Sequence, residues 1–279
     1  MGWTITPSLP HFTAAAGGFL ERRPAEHTVL RTVCGTLARR GTDAYGPRPP
    51  LFGWWREGEQ GPVEAAFLQT PPHPPLLARG PEQSARELAA AWDGPLEGAR
   101  GEAETVRAFG AAWQERTGDV PRVVREERLH RLAALTPRDP APPGRARIAG
   151  PADLDLLLRW HTEFARDIGA PADDMARGVP DALRRGGRTL WEVDGEPAAM
   201  AGSTSPEDGA IRVVAVYTPP ALRGRGYAGA VTAAVSQAAL DAGAEDVLLF
   251  TDLANPVSNH VYRRLGYVPV RDQLVVAFG

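Results

Sequence analysis

The sequence predicts a mixed α/β chain arranged as two units. Three observations carry this. Short strand-like runs alternate with helix-like stretches along the whole chain. Four prolines fall within Thr136-Pro-Arg-Asp-Pro-Ala-Pro-Pro-Gly144, close to the midpoint, where neither a helix nor an inner strand can continue. In the second half, Ile211-Arg-Val-Val-Ala-Val-Tyr-Thr-Pro-Pro-Ala-Leu-Arg-Gly-Arg-Gly-Tyr-Ala228 reads as a strand, a glycine turn and a helix start.

A chain of 279 residues suits two domains, and 43% hydrophobic with 23% charged residues is ordinary globular composition. The net charge of −3 provides no bulk attraction to nucleic acid or to an anionic membrane, so neither is expected as a partner. All 31 basic residues are arginine. Cys34 is the sole cysteine, which excludes an intramolecular disulfide and fits a reducing compartment. Met1–Pro10 lacks a basic start with an apolar core behind it, and no apolar run approaches the ~20 residues that span a bilayer. A cytoplasmic protein is the expectation.

In order, Pro24–Arg40 suits a helix through Val29, Val33, Thr36 and Leu37. Leu51–Arg56 and Val63–Gln69 read as strands around the turn-rich Glu57–Pro62. After the proline-heavy Pro71–Pro75 comes a short apolar run, Leu76–Ala78. Pro81–Trp92 and Glu102–Arg116 read as helices, the second stopped by Gly118, and Val120–Leu135 offers one or two strands. Beyond the proline-rich segment, Arg145–Ala149 is a short strand. Asp153 starts a helix with Leu154, Leu157, Trp160 or His161, Phe164 and Ile168 on its apolar face. Asp173–Arg185 continues as a helical piece to Gly186-Gly187. Thr189–Val193, Pro197–Ser203 and Ile211–Thr218 are strands, the first two joined at Asp194-Gly195. A helix over Gly226–Ala242 ends at Gly243, and Val247–Phe250 is apolar throughout, as a strand covered on both faces would be. A helix from Asn255 to Gly266 and two closing strands, Tyr267–Val270 and Leu274–Phe278, finish the chain.

The turn is where chemistry enters. Gly224 and Gly226 allow backbone N–H groups to face an anion without Cβ atoms in the way. The helix start adds partial positive charge, and Arg223 and Arg225 add full charges. Gly224-Arg-Gly-Tyr-Ala-Gly229 also spells the dinucleotide fingerprint, with Glu245-Asp246 about 20 residues on. Against that, Pro219-Pro-Ala-Leu222 separates strand from glycines, and only 33 residues follow Asp246, too few for a second βαβ half. A nucleotide-binding P-loop is excluded because the G-K-[ST] ending is missing. A turn with glycines for geometry alone would not explain two interleaved arginines. Asn255-Pro-Val-Ser-Asn-His-Val-Tyr-Arg-Arg-Leu-Gly266 adds a second signature: an N-cap, proline at N1 and a closing glycine. Asn255 and Tyr262, nearly two turns apart, share one side of that helix, while Val257, Val261 and Leu265 are expected to face the sheet.

Read as Arg-x-x-Gly-x-Ala (Arg223, Gly226, Ala228), the turn resembles the acetyl-CoA-binding signature of the GNAT superfamily of N-acetyltransferases, and Asn255 with Tyr262 matches the family's asparagine-and-tyrosine helix. The resemblance runs over roughly Arg145–Gly279. It implies an α/β (α+β) architecture of two GNAT-like domains, each a mixed, mostly antiparallel twisted sheet flanked by helices. The C-terminal domain would hold a splayed parallel strand pair. The implied spans are a degenerate GNAT-like domain over 1–135, a proline-rich linker over 136–144 and an acetyl-CoA-binding catalytic domain over 145–279. The first half carries only Ala78-Arg-Gly-Pro-Glu82 where the turn should be, so no CoA is expected there.

By the same resemblance, backbone groups of Val216, Tyr217 and Thr218 bond the pantetheine arm of acetyl-CoA. Arg223, Gly224, Arg225, Gly226, Tyr227 and Ala228 hold its pyrophosphate, and Asn255 bonds the arm from the other side. An amine attacks directly in a ternary complex, with Tyr262 as general acid to the departing thiolate. No metal is implied. The acceptor is a small-molecule or peptide amine, its site walled by Arg166–Gly187, where Asp167, Asp173 and Asp174 offer negative charge. Glu163, Glu192, His161, His260 and Asp252 are base candidates with no spacing that selects one. Two other functions stay open, a non-catalytic acyl-CoA-binding regulator and a dinucleotide binder, as does a homodimer.

Overall fold

The computed structural model describes residues 2–58 and 60–279. Met1, Glu59 within the predicted Glu57–Pro62 turn, and the side chain of Asp174 lie outside the described residues. The chain packs as two compact units. One comprises Met1–Leu129, Thr251–Ala254 and Val270–Gly279; the other comprises His130–Phe250 and Asn255–Pro269.

The first unit contains β1 (Gly2–Thr6), α1 (Leu9–Glu21), α2 (Thr28–Arg40), β2 (Leu51–Arg56), β3 (Val63–Gln69), β4 (Leu76–Leu77), α3 (Glu82–Ala91), β5 (Gly98–Glu102), α4 (Ala103–Thr117) and most of β6 (Pro121–Leu132). Strands β1 to β4 pair antiparallel in sequence order, and β4 pairs parallel with β5 through Leu76↔Arg100 and Leu77↔Gly101. The last strand, β12 (Tyr267–Phe278), then adds its end to β5, Gln273–Ala277 running antiparallel to Gly98–Glu102. Period-two alternation sorts side chains to two faces. Ala66 and Leu68 join Phe12, Phe19, Leu30 and Leu37 of α1 and α2, whereas Phe67 and Leu77 join Leu88, Phe109 and Trp113 of α3 and α4.

The second unit contains β7 (Arg145–Ile148), α5 (Leu154–Asp167), α6 (Ala172–Arg177), α7 (Val179–Arg184), β8 (Arg188–Val193), β9 (Glu196–Ser203), β10 (Ala210–Tyr217), α8 (Tyr227–Asp241), β11 (Asp246–Asp252) as far as Phe250, and α9 (Pro256–Arg264). Its strands run in the order β7-β8-β9-β10-β11, antiparallel except for the β10–β11 pair. Helix α8 covers one face, where Val231 and Val235 meet Ala199, Ala201, Val213 and Leu249. On the opposite face Leu157 and Trp160 of α5 meet Leu190, Met200 and Tyr217. The fold is thus a mixed α/β one, with a mostly antiparallel sheet that includes the parallel pairs β4–β5 and β10–β11, and flanking helices.

Several elements differ from expectation. β1, α1 and β5 were not foreseen. α1 carries Gly17-Gly18 at its centre, and β5 is Gly-Ala-Arg-Gly-Glu, without a β-branched residue; its neighbours β4 and β12 impose the strand. The predicted helix Asp173–Arg185 breaks into α6 and α7 at Gly178, with Pro180 in the first turn of α7. The two expected closing strands are one, because the polar midsection stays extended. Arg128 binds both Asp272 oxygens at 2.6 and 2.8 Å, and Arg271 reaches Glu26 at 2.9 Å.

Candidate active site

The site begins where β10 loses a partner. Its parallel register with β11 covers only Ala210↔Asp246, Ile211↔Val247 and Arg212↔Leu248. On its other edge, Val214 faces Gly202 and Tyr217 faces Met200, so β10 spends one residue more than β9. Ala215 takes up the excess at φ 51°, a left-handed conformation rare for alanine. Such a bulge re-aims the backbone groups beside it. Of the three predicted strand residues, Val216 is half-buried and the side chains of Tyr217 and Thr218 are buried. The Thr218 hydroxyl has no hydrogen-bond partner among the described residues.

Pro219 then starts a short helical turn over Pro220–Leu222, and the glycines follow. Gly224 has φ +78°, and among the described residues nothing beyond its chain neighbours comes within 4 Å of where a Cβ would stand; Gly226 has φ +88°. Gly226 is the N-cap of α8, a position where no side chain bonds the first amides and no acidic residue occupies the first turn. Those N–H groups and the helix dipole are therefore open to an anion. The side chain of Tyr227 lies in the core, 6% exposed, so only its amide could serve such a ligand; Ala228 is half-buried.

The turn's arginines are held differently. Arg223 donates through Nε to the Thr218 carbonyl at 2.9 Å and through Nη2 to Asp167 at 2.5 Å, with its guanidinium 5.8 Å above the Tyr217 ring. Arg225 donates to the Ala221 carbonyl at 3.3 Å. The Tyr217 hydroxyl donates to Glu163 at 2.7 Å. Burial first, and then the Glu163 carboxylate, push this phenol up to about 12. Glu163 and Asp167 lie one turn apart on α5, so that helix clasps the end of β10 and the first turn arginine together. This clasp could not be read from sequence: its partners are more than fifty residues apart.

Asn255 is the N-cap of α9. Its Oδ1 accepts the Ser258 amide at 3.1 Å, which leaves the Nδ2 end to meet a ligand. Tyr262 is buried, edge-on to Tyr267 with ring centres 6.1 Å apart. Burial, and to a lesser degree Tyr267, raise this phenol well above the ordinary range. The expected apolar face of α9 is corrected at one position. Val257 is 71% exposed while Leu265 is 5% exposed, so burial begins a turn later than the pattern suggested.

Among the base candidates, Glu163 serves Tyr217, and Glu192 binds Arg147 at 2.6 Å beside Asp153. His161 is 1% exposed with Nδ1 on the Leu157 carbonyl at 2.8 Å; burial, then the Arg188 charge, lower it to about 4. His260 is exposed, and Asp252 accepts the Ala254 amide at 2.8 Å. Asp167 is engaged by Arg223, and Asp173 is exposed. Among the described residues, no grouping of His, Cys, Asp and Glu could hold a metal ion, and no helix is long and apolar enough to cross a membrane.

Comparison with known proteins agrees with this geometry. Residues 155–267 match the model of the Acetyltransferase (GNAT) family. Among solved structures, a Drosophila protein aligns with a TM-score of 0.69 at 13% identity, covering 99% of this chain and 98% of its own. A GNAT-family acetyltransferase from Colwellia psychrerythraea aligns at 0.60 and 12% identity over 100% and 99% of the two chains. A GCN5-related N-acetyltransferase from Sphaerobacter thermophilus aligns at 0.58 and 15% identity over 98% and 94%. At these identities the likeness is one of fold. No curated protein matches the sequence.

Proposed function

With residues 155–267 forming a GNAT acetyltransferase domain, we propose that the chain is an acetyl-CoA-dependent N-acetyltransferase acting on a primary amine of a small molecule or peptide. The observation that carries this is the conjunction at the end of β10. The strand parts from β11 after Arg212, bulges at Ala215, and leads within ten residues to an uncapped helix N-terminus entered through two left-handed glycines. The residues fit the cofactor, since they combine open amides for its phosphates with a buried, unpartnered Thr218 hydroxyl.

Acetyl-CoA would supply an acyl group activated as a thioester. The amides around Gly224, Arg225, Gly226, Tyr227 and Ala228 would hold its pyrophosphate, with Arg223 and Arg225 adding charge. Backbone groups of Val216, Tyr217 and Thr218 would hold the pantetheine amides in place of a neighbouring strand, and one N–H would polarise the acyl oxygen. Asn255 would meet the arm through its Nδ2. Tyr262, with its phenol raised by burial, keeps its proton at neutral pH and so is a donor to the departing thiolate rather than a base. The acceptor amine would enter neutral and attack directly.

In this proposal the catalytic domain spans 145–279 and the span 1–135 is a degenerate counterpart, joined through 136–144. The order of elements supports the duplication: β1 to β6 with α1 to α4 repeats as β7 to β12 with α5 to α9, apart from the split α6 and α7. The degeneracy is supported at Gly80, where a Cβ would stand 2.4 Å from the Ala65 Cβ. That glycine permits close packing and presents no cradle. The test is thiol release from acetyl-CoA across amines, amino acids and peptides, with calorimetry against CoA and NAD. Turnover on any amine class supports the enzyme. CoA binding without turnover would leave a regulator, and NAD binding in place of CoA would sink the reading.

A further inference from the structure

The proline-rich segment that separates the two halves of the sequence is packed, and it carries a cation to the glycine turn. Thr136 donates its amide to the Leu265 carbonyl at 3.0 Å, and Ala133 donates to Gly266 at 3.0 Å. Further on, Pro142 is buried, and the Trp191 indole donates to the Pro143 carbonyl at 2.9 Å. The segment is thus pinned at both ends to the second unit. Between the pins, Arg138 lies over the start of α8. A Cβ built on Gly226 would come within 2.9 Å of an Arg138 Nη1 and 3.8 Å of the Pro142 ring.

The turn thus carries Arg223 and Arg225 and is approached at Gly226 by Arg138, and the three have different partners. Arg223 is paired with Asp167, and Arg225 donates to a backbone carbonyl. No described residue bonds or neutralises Arg138. Holding an unpaired guanidinium against a helix N-terminus sets positive charge on the positive end of a dipole. The arrangement becomes favourable when an anion of more than one charge sits among them. Gly226 then has two duties. It supplies the left-handed φ of +88°, and it leaves the space into which the Arg138 guanidinium reaches.

We propose that Arg138 is a third cationic ligand of the cofactor diphosphate, and that the segment Thr136–Gly144 is a strap closing over the glycine turn. The proposal rests on the acetyl-CoA reading above. It assigns Arg138 to the diphosphate rather than to the ribose phosphate because the guanidinium lies at the residue that caps α8, where the open amides converge.

The test is calorimetry on the full chain with CoA and with dephospho-CoA, which lacks the ribose phosphate, for the wild type, Arg138→Ala, Arg138→Gln and Arg138→Lys. Arg145→Ala on exposed β7 serves as an equal loss of charge. Losing one charge-assisted contact is expected to weaken both ligands roughly tenfold in the Ala and Gln variants. Arg138→Lys recovers part of that loss, Arg145→Ala stays within twofold, and the KM for acetyl-CoA rises in Arg138→Ala and Arg138→Gln. Near-wild-type affinity in both Arg138→Ala and Arg138→Gln overturns the proposal, as does an equal loss in Arg145→Ala. A loss seen with CoA but not dephospho-CoA overturns the diphosphate assignment. A wild-type chain that binds no CoA removes the underlying reading itself, whereas wild-type binding with indifferent Arg138 variants removes only the strap.

Discussion

The Tyr217 hydroxyl donates a 2.7 Å hydrogen bond to Glu163, joining the last residue of β10 to α5 at the point where the strand leaves the sheet. The same helix holds Arg223 through Asp167 one turn further on. The bulged end of β10 and the first arginine of the turn are thereby set by one rigid element.

That bond has a consequence in alkali. The folded chain keeps the Tyr217 proton up to about 12, whereas an unfolded chain releases it near 10. Protons are then bound more by the folded state, so the contribution of Tyr217 to stability is complete below pH 10 and is lost as pH rises towards 12. Urea midpoints measured between pH 9 and 11.5 should fall less steeply in Tyr217→Phe than in the wild type. At neutral pH the same variant should lose about 1 kcal/mol, the worth of one hydrogen bond. An unchanged slope would detach the titration from this residue.

Tyr262→Phe keeps the ring and its packing on Tyr267 and removes only the hydroxyl. Turnover is expected to drop roughly a hundredfold or more, the scale of general-acid assistance, with the KM for acetyl-CoA little moved. Full turnover in this variant would end the assignment of Tyr262 as acid.

Gly224→Ala and Gly226→Ala separate conformational strain from lost space. Each forces alanine to a positive φ, at a cost of about 1 kcal/mol. At Gly224 a Cβ meets nothing within 4 Å, but at Gly226 it meets the Arg138 guanidinium at 2.9 Å. Urea unfolding should show a similar modest loss for both, since Arg138 is exposed and can swing away. CoA affinity should fall further in Gly226→Ala; equal affinities would mean that strain alone matters.

His161 contributes on the acid side. Burial and Arg188 lower it from 6.5 to about 4, so the unfolded chain takes up its proton first. Its contribution to stability is present above pH 6.5 and is lost as pH falls through about 4. His161→Gln can still donate to Leu157. The difference in unfolding free energy between wild type and this variant should therefore narrow from pH 7 to pH 4. A constant difference would show that the imidazole does not titrate in this range.

The legible parts of this protein were those with local causes. The β-branched run Ile211–Val216, the left-handed requirement met by Gly224 and Gly226, and the Asn255 cap with Pro256 behind it are all set by residues within a turn of one another. Their chemistry shows in the order of letters. β5 had no such cause: Gly98-Ala-Arg-Gly-Glu102 becomes a strand because β4 and the chain's last strand bond it from both sides. Val257 carried the right pattern and is exposed all the same, since periodicity shows which side of a helix is apolar but not where its neighbour begins.

The sequence by itself determined the mixed α/β class, the glycine turn and the asparagine-and-tyrosine helix. Only the tertiary structure decided what surrounds them: Glu163 on Tyr217, Asp167 on Arg223, and Arg138 brought to Gly226 from a segment that reads as a linker. The physical reason is range. Backbone conformation and capping depend on neighbours in the chain, while charge pairing and close approach depend on neighbours in space. Those spatial neighbours exist only once the sheet has placed residues 54 to 88 positions apart beside one another.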